Sequence, residues 1–305
     1  VQEVVNNPYA HAQAMNKANG KLATAFFDRM GNYVVVESFV KGKSEVISCE
    51  DRIVITPYYC AVIDGATSKT PMNILNLTPG FWAAELIKQS IIDLPYDCPL
   101  KMVTELITEK IRSCYIKYGL EDDVCQHPEN RFSASAAIFS VCYNEVWLIG
   151  DCQCRINGIT YKNEKLVDRI FSEVRSYVNR TELLRGKTIG ELQKKDVGRE
   201  YILPLLKKQV IWQNSEVDSL YTYPVLDGFP VLLSKVRVIS VPKCAQIVLA
   251  SDGYPVLCDD LRETEKVLFD ILERDPLCIE EYLSTKGVAR MNDSFDDRAY
   301  LRLQL

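Results

Sequence analysis

Several apolar segments of this 305-residue chain lie directly beside aspartates. Each segment is short, rich in β-branched or aromatic residues and bounded by turn residues, which is typical of a buried strand. Buried carboxylates are stable together only where a cation compensates their charge. The pattern therefore predicts a metal site built from strand ends. The segments and their acids are 58–63 before Asp64-Gly65, 145–149 before Gly150-Asp151, 245–250 before Ser251-Asp252-Gly253, and Asp296-Asp297 before 300–303.

The donor atoms of these candidates indicate which metal would bind. All candidate side chains are carboxylates, and His11 and His127 are the only histidines of the chain. Oxygen donors without His or Cys favour Mg²⁺ or Mn²⁺ over zinc or copper. Two such ions about 3.5–4 Å apart would share a water and raise its acidity, an arrangement suited to phosphate-ester hydrolysis. For any single aspartate, the alternative is a turn residue that binds backbone amides. The candidates are Asp64, Asp151, Asp252 and Asp296, with Glu50, Asp51 and the Gly65 carbonyl as further ligands.

The composition is that of a folded soluble protein, with 47% hydrophobic and 25% charged residues. A formal net charge of −5 argues against nucleic acid or an anionic membrane as a partner. No apolar run of about twenty residues is present, and no basic region precedes an apolar core near residue 1, so neither membrane spanning nor secretion is expected. The eleven cysteines include no Cys-x-x-Cys pair and are expected to be reduced thiols of a cytoplasmic protein.

The order of the apolar patterns predicts one α+β domain over residues 1–305. Strands, two helices, strands, two helices and a final strand follow one another, which argues against alternating βαβ units. The meander over 134–161 predicts antiparallel pairing. Residues 1–32 are expected to form an N-terminal arm or helix, and residues 163–235 an irregular insertion or cap over a sheet edge. Helices are expected at about 79–93, 99–118, 260–273 and 279–289.

The order of the acidic motifs resembles that of the metal-dependent serine/threonine protein phosphatases of the type 2C class, the PPM family, and in particular its bacterial members. The resemblance spans about residues 34–305, with 163–235 matching poorly. It implies two antiparallel sheets packed as a sandwich and flanked by helix pairs, in α-β-β-α layers. The motifs are Glu50-Asp51, Asp64-Gly65, Gly150-Asp151, Ser251-Asp252-Gly253 and Asp296-Asp297.

The same resemblance implies a role for each acid. Asp64 would bridge two Mn²⁺ or Mg²⁺ ions, and Asp252 and Asp296 would complete the first ion; these three are the implied catalytic residues. A third, weaker ion would lie between Asp151 and Asp252. The second ion would take the carbonyl of Gly65 and would reach two further acids through water, Glu50 and Asp51.

Two positions depart from the family pattern. Many members place a histidine after Asp-Gly to protonate the leaving alkoxide, and this chain has Ala66. Some bacterial relatives also lack that histidine, so we expect slower turnover, because such acid help is typically worth ~10²–10⁴-fold. Eukaryotic members hold the phosphate with an arginine four residues before Glu-Asp, where this chain has Val46. Lys43, Arg52 and Lys69 are either its substitutes or solvated surface cations.

The predicted function is a cytoplasmic Mn²⁺- or Mg²⁺-dependent phosphatase that removes phosphate from serine and threonine of a phosphorylated protein. The alternative is a catalytically weak or inactive pseudo-phosphatase with a regulatory or scaffolding role. Ala66 and Val46 favour this alternative, whereas Asp64, Asp252 and Asp296 oppose it. A phosphatase of small phosphorylated metabolites is a third alternative.

Overall fold

Two antiparallel sheets form the centre of the computed structural model, which describes residues 29–30 and 33–305. The strands are β1 Arg29–Met30, β2 Tyr33–Lys41, β3 Arg52–Ile55, β4 Tyr59–Gly65, β5 Ala134–Ser140, β6 Glu145–Ile149, β7 Gln153–Ile156, β8 Ile159–Lys162, β9 Arg237–Ser240, β10 Gln246–Ala250 and β11 Arg298–Gln304. Sheet A has the order β1-β2-β11-β10-β7-β8, and sheet B has the order β3-β4-β5-β6-β9. Consecutive strands often pair as hairpins, as the predicted meander requires.

The helices of the described residues fall into three groups along the chain. The α-helices are α1 Pro79–Ile92, α2 Leu100–Tyr118, α3 Glu121–Gln126, α4 Leu166–Leu184, α5 Ile189–Lys194, α6 Val197–Lys208 and α7 Leu261–Arg274. Short 3₁₀ turns cover Pro128–Asn130, Gln209–Trp212 and Leu233–Lys235. Within the described part of the chain, none of these helices combines the length and apolarity needed to cross a membrane.

Strand β4 shows why its sequence is apolar without interruption. Successive side chains of a strand point to opposite faces. Cys60 and Val62 pack between the two sheets, whereas Ala61 and Ile63 pack against the helices that cover sheet B. Both faces of the strand are therefore buried up to Ile63, and Asp64 near its end is the one partly exposed residue of the strand.

The layers are those predicted from the sequence. Helices α1 and α2 cover sheet B, and α7 covers the outer face of sheet A. Helix α1 begins where expected, because the Thr78 side chain accepts a hydrogen bond from the Phe81 amide at 3.2 Å and Pro79 occupies the first turn. Helix α2 ends at Gly119, whose φ of 65° suits the left-handed conformation. The predicted α+β fold of two packed antiparallel sheets between helical layers is confirmed.

One expected helix is not formed. The segment around 279–289 consists of bends and irregular loop, although its sequence suggested a second helix after α7. The carboxylate of Asp275 accepts hydrogen bonds from the backbone amides of Ile279 (3.0 Å), Glu280 (2.7 Å) and Glu281 (2.9 Å). These amides converge on one side chain, which produces a tight loop. Only one helix, α7, therefore follows β10 within the described residues.

The sequence predicts charged helical segments at about 164–179, 188–195 and 199–213 within the insertion or cap of 163–235, and three helices lie there. Helices α4, α5 and α6 lie in it, and α4 packs along α6. We call residues 163–235 the cap. The arm or helix expected over residues 1–32 lies outside the described residues, apart from the two residues of β1.

Candidate metal centre

Three predicted ligands meet where strands of both sheets end. Asp64 closes β4 and Asp151 follows β6 in sheet B, while Asp252 follows β10 in sheet A. One carboxylate oxygen from each lies within 4.8 Å of the other two. We call these residues the carboxylate trio. Because they come from different sheets, the packing of the two sheets fixes their separation, and they are the one such metal-ligand group found within the described residues.

The carboxylate trio has an excess of negative charge. Burial raises the pKa of Asp64 well above its ordinary value, and the charge of Asp252 raises it further. Burial, followed by Asp151 and Asp296, raises the pKa of Asp252 to about 7. Both shifts mean that the ionised carboxylates lack a compensating partner. A divalent cation would supply one.

Asp151 differs from the other two members because it has a cation of its own. Burial by itself would raise the pKa of Asp151, but the Lys165 amine, 2.6 Å from Oδ2, outweighs burial and lowers that pKa below the ordinary value. The Ser135 hydroxyl donates to Oδ1 of Asp151. Ser135 thus orients a ligand candidate, and Lys165 brings the beginning of the cap to the metal centre.

Two glycines allow the backbone to pack closely around the trio. A Cβ on Gly65 would lie 2.3 Å from the carbonyl oxygen of Gly80 in α1. A Cβ on Gly253 would lie 2.0 Å from the carbonyl oxygen of Asp297. Both distances are shorter than any real carbon–oxygen contact, so neither position admits a side chain.

A second group of acids surrounds Lys43. The Lys43 amine lies 3.2 Å from Asp296 Oδ1, 3.5 Å from Asp297 Oδ2 and 3.9 Å from Glu50 Oε2. We call these four residues the lysine-bridged cluster. The Lys286 amine binds the other oxygen of Asp296. Both carboxylate oxygens of Asp296 are therefore already bound by ammonium groups.

The electrostatics of the lysine-bridged cluster are opposite to those of the trio. Burial would raise the pKa of Asp296, but Lys286 and Lys43 lower it to about 2. Burial would lower the pKa of Lys43, but Asp296 and then Asp297 raise it above the ordinary value. Asp296 is consequently ionised at neutral pH without any metal.

The pair Glu50-Asp51 lies beside both groups. The Glu50 amide donates to Asp297 (3.0 Å), and the Thr78 hydroxyl donates to the Glu50 side chain. Asp51 is buried, and its pKa is raised well above the ordinary value by burial and then by Asp297. One carboxylate oxygen of Asp51 has no hydrogen-bond partner among the described residues. An unsatisfied buried oxygen of this kind suits a bound water or cation.

A cleft of about 340 Å³ opens in front of the carboxylate trio. Its walls combine the acids with several cations from distant parts of the chain. The charged residues that line it include Asp64, Asp151, Asp252, Asp296, Asp168, Lys69, Lys165, Arg199 and Lys286. Such a surface can receive a phosphate ester, whose charge the cations and a bound metal would share.

The cations were the least predictable part of the site. The expectation that Lys43 is a solvated surface residue is wrong, because its exposed fraction is only 6%. Arg52 instead binds Glu85 at 3.1 Å and does not line the cleft. Val46 is 88% exposed, and Ala66 lines the cleft without a polar side chain. The sequence gives no signal for Lys165, Arg199 or Lys286, since each is brought to the cleft by tertiary packing alone.

Several solved structures are similar to the chain. PppA, a key regulatory component of T6SS in Pseudomonas aeruginosa, has 13% identity and a TM-score of 0.45, over 90% of this chain and 99% of that one. The serine/threonine phosphatase PstP/Ppp of Mycobacterium tuberculosis has 14% identity and a TM-score of 0.42, over 89% and 99%. RsbX in complex with magnesium has 11% identity and a TM-score of 0.43, over 93% and 100%.

These neighbours include serine/threonine phosphatases, the class that the motif order resembles, and some of them contain magnesium or two manganese ions. No protein-family model matches the chain. No curated protein matches it either. Because each of the three TM-scores is below 0.5, the function has to be inferred from the site itself.

Proposed function

We propose that this chain is a Mn²⁺- or Mg²⁺-dependent phosphatase that hydrolyses phosphoserine and phosphothreonine esters of proteins. One observation carries the proposal: the half-buried carboxylates of Asp64, Asp151 and Asp252 place oxygens within 4.8 Å of one another. Burial and mutual repulsion raise the pKa of Asp64 and Asp252, so the trio has uncompensated charge. A hard divalent cation compensates such charge and prefers oxygen ligands.

The carboxylate trio fits such a cation, and each of its residues has a proposed task. Asp64, Asp151 and Asp252 would hold the metal through their carboxylate oxygens. Bound ions supply a water of raised acidity and neutralise the phosphoryl oxygens. Ser135 and Lys165 keep the Asp151 carboxylate in position.

The remaining predicted ligands belong to the surroundings of the trio. Asp296 stays a proposed catalytic ligand, but Lys43 and Lys286 would have to release at least one of its oxygens. Glu50 and Asp51 would accept hydrogen bonds from water around the ions, a task that the unpartnered oxygen of Asp51 supports. Gly65 would contribute its carbonyl.

The reaction consumes one water. The water oxygen forms a bond to phosphorus, the phosphorus–oxygen ester bond breaks, and the serine or threonine alkoxide takes a proton. Ala66 cannot provide that proton. Solvent water therefore does so, and we expect a rate roughly 10²–10⁴-fold below that of a site with a positioned acid.

Hydrolysis of p-nitrophenyl phosphate and of a phosphothreonine peptide, each with and without Mn²⁺, tests the proposal. We expect Mn²⁺ to stimulate both reactions and Asp252→Asn to reduce them at least ~100-fold, since even supporting residues of metal sites are worth 10–100-fold. Asp259→Asn is the matched control, because Asp259 is largely exposed and pairs with Arg155 at 2.8 Å. Equal losses in both variants would contradict the proposal.

A regulatory pseudo-phosphatase is the second candidate. It is favoured by the two ammonium groups on Asp296, which neutralise part of the site without a metal. If calorimetry detects no Mn²⁺ binding and no turnover occurs, this candidate replaces the first. Turnover of phosphorylated metabolites but not of phosphopeptides would instead identify a small-molecule phosphatase.

A further inference from the structure

Two partly buried cations on the wall of the cleft have no acidic partner among the described residues. Lys69 lies in the loop after β4, and Arg199 lies in α6 of the cap. Both line the same cleft as Asp64 and Asp252. Among residues 33–305, neither side chain has a carboxylate oxygen within 4.0 Å, whereas Lys165 and Lys286 are each paired.

The lack of a partner is costly because both groups are partly buried. Burial and the neighbouring Arg199 lower the pKa of Lys69 to about 8. Burial, and then Arg175, lower the pKa of Arg199. The acid that acts on the pKa of Lys69 is Asp168, which also lines the cleft and whose own pKa is raised by burial. Cations held together without an anion are typical of a site whose anion arrives with the ligand.

Contacts between the first turn of α6 and helix α4 fix the backbone position of Arg199. Asp196 begins α6 by accepting a hydrogen bond from the Arg199 amide at 2.8 Å. Arg175 of α4 binds the Asp196 carboxylate at 2.7 Å, and Asn179 donates to it at 2.8 Å. The first turn of α6 is therefore tied to α4 by charge-assisted bonds, which hold the Arg199 backbone in place.

Arg175 also joins the cap to the loop that precedes Asp296. The fully buried Arg175 guanidinium donates to the carbonyls of Leu277 (2.8 Å), Cys278 (3.1 Å) and Ser284 (2.9 Å). Arg199 itself donates to the Thr285 carbonyl at 2.9 Å, next to Lys286. An arginine has five N–H donors, so further donors of Arg199 are free for a ligand.

We infer that Lys69 and Arg199 form the subsite that binds the phosphate dianion of the substrate. The cap thus contributes Arg199 as a specificity residue of the cleft. Arg199 supplies positive charge that Val46, at the position of the phosphate-binding arginine of eukaryotic family members, cannot supply. The inference rests on the proposed phosphatase function and adds the residues that hold its substrate.

Binding of a fluorescein-labelled phosphothreonine peptide, followed by fluorescence anisotropy, tests the subsite without turnover. The experiment uses the Asp252→Asn protein with Mn²⁺ and adds Lys69→Met or Arg199→Met. We expect each added substitution to raise Kd roughly 10- to 100-fold, since a hydrogen bond to a charged group is lost. Binding of the unphosphorylated peptide should not change. Arg185→Met is the matched control, because Arg185 belongs to the cap but is 72% exposed.

The outcomes separate the subsite from the catalytic proposal. Unchanged Kd values in both variants, or no binding of the phosphopeptide by the parent chain, would overturn the subsite. Phosphopeptide binding that depends on Lys69 and Arg199 in a chain without Mn²⁺-dependent turnover would support the subsite and overturn the enzyme. Circular dichroism melting curves verify folding; Lys69→Met should melt no lower than the parent, because it removes a desolvated charge.

Discussion

The acids of the carboxylate trio are half-buried and those of the lysine-bridged cluster are buried, and the two groups are neutralised differently. In the trio, the one amine among the described residues that pairs with a carboxylate is that of Lys165, and it binds Asp151 alone. In the lysine-bridged cluster, Lys43 contacts three carboxylates, and Lys286 adds a second amine to Asp296. The pKa shifts follow this difference: the pKa of Asp252 rises to about 7, whereas that of Asp296 falls to about 2.

The comparison indicates which acids stabilise the fold and which require a bound metal. An acid with its own lysine contributes to the fold, because the pair is neutral inside the protein. An acid without a lysine partner destabilises the folded state until a cation binds. Binding of that cation then stabilises the folded protein, and the bound cation can take part in function. By this criterion the trio is the part of the site that needs an external metal, and the cluster holds the loops around it.

Replacing Lys43 should have the largest effect on stability. Lys43→Met leaves buried acids of the cluster without their amine, and breaking a buried ion pair costs about 3–5 kcal/mol of the free energy of unfolding. Urea unfolding in metal-free buffer measures this loss. The matched control is Lys41→Met, because Lys41 pairs with Asp293 at a largely solvated position and should contribute less than about 1 kcal/mol. Equal losses in the two variants would remove the distinction between the two groups of acids.

Mn²⁺ affinity should separate the two groups most directly. Asp64→Asn removes a member of the trio, so we expect Kd for Mn²⁺ to rise at least ~100-fold in isothermal titration calorimetry. Asp296→Asn removes an acid that two lysines already neutralise, and we expect a rise of about 10-fold or less. A larger loss in Asp296→Asn than in Asp64→Asn would mean that the metal displaces the lysines and that the cluster is the principal site.

Local patterns were sufficient to predict most strands and helices and the α+β class, whereas the sandwich of two sheets was implied by the family resemblance. The strand over 59–65 is apolar without interruption, and Thr78-Pro79 and Gly119 mark helix ends by their own chemistry. The segment 279–289 was mispredicted because the side chain of Asp275, just before the segment, accepts hydrogen bonds from its first backbone amides. A helical period cannot reveal such a competing interaction.

The acids of the site were also predictable, because each one follows or precedes a strand. Asp64, Asp151, Asp252 and Asp296 were predicted to meet. Oxygens of the first three lie within 4.8 Å of one another, whereas both oxygens of Asp296 are bound by lysines. The lysines were not predictable, since Lys43 and Lys286 are 243 positions apart and nothing near either residue indicates a buried amine. Charge compensation between distant segments depends on packing, which a single sequence does not display.

Lys69 is the opposite of the carboxylate trio, because it is a cation without an acidic partner among the described residues. Its effect on the free energy of unfolding should be the smallest. Its pKa of about 8 in the folded chain lies below the ordinary 10.5, so the unfolded state keeps this proton to higher pH. The free energy of unfolding should therefore rise between pH 8 and 10.5, by about 1–2 kcal/mol. The groups that face Lys69 are Arg199, Asp168, Lys165 and Lys286.

Urea unfolding of the parent and of Lys69→Met at pH 7.5, 9 and 10.5 isolates this contribution, because all other groups titrate in both proteins. Lys69→Met should be the more stable protein at pH 7.5, and the difference should vanish at pH 10.5. Lys162→Met serves as control, because Lys162 is exposed and pairs with Glu164. If Lys69→Met is less stable than the parent at pH 7.5, Lys69 has an acidic partner in solution. It would then belong with Lys43 rather than with an anion-binding subsite.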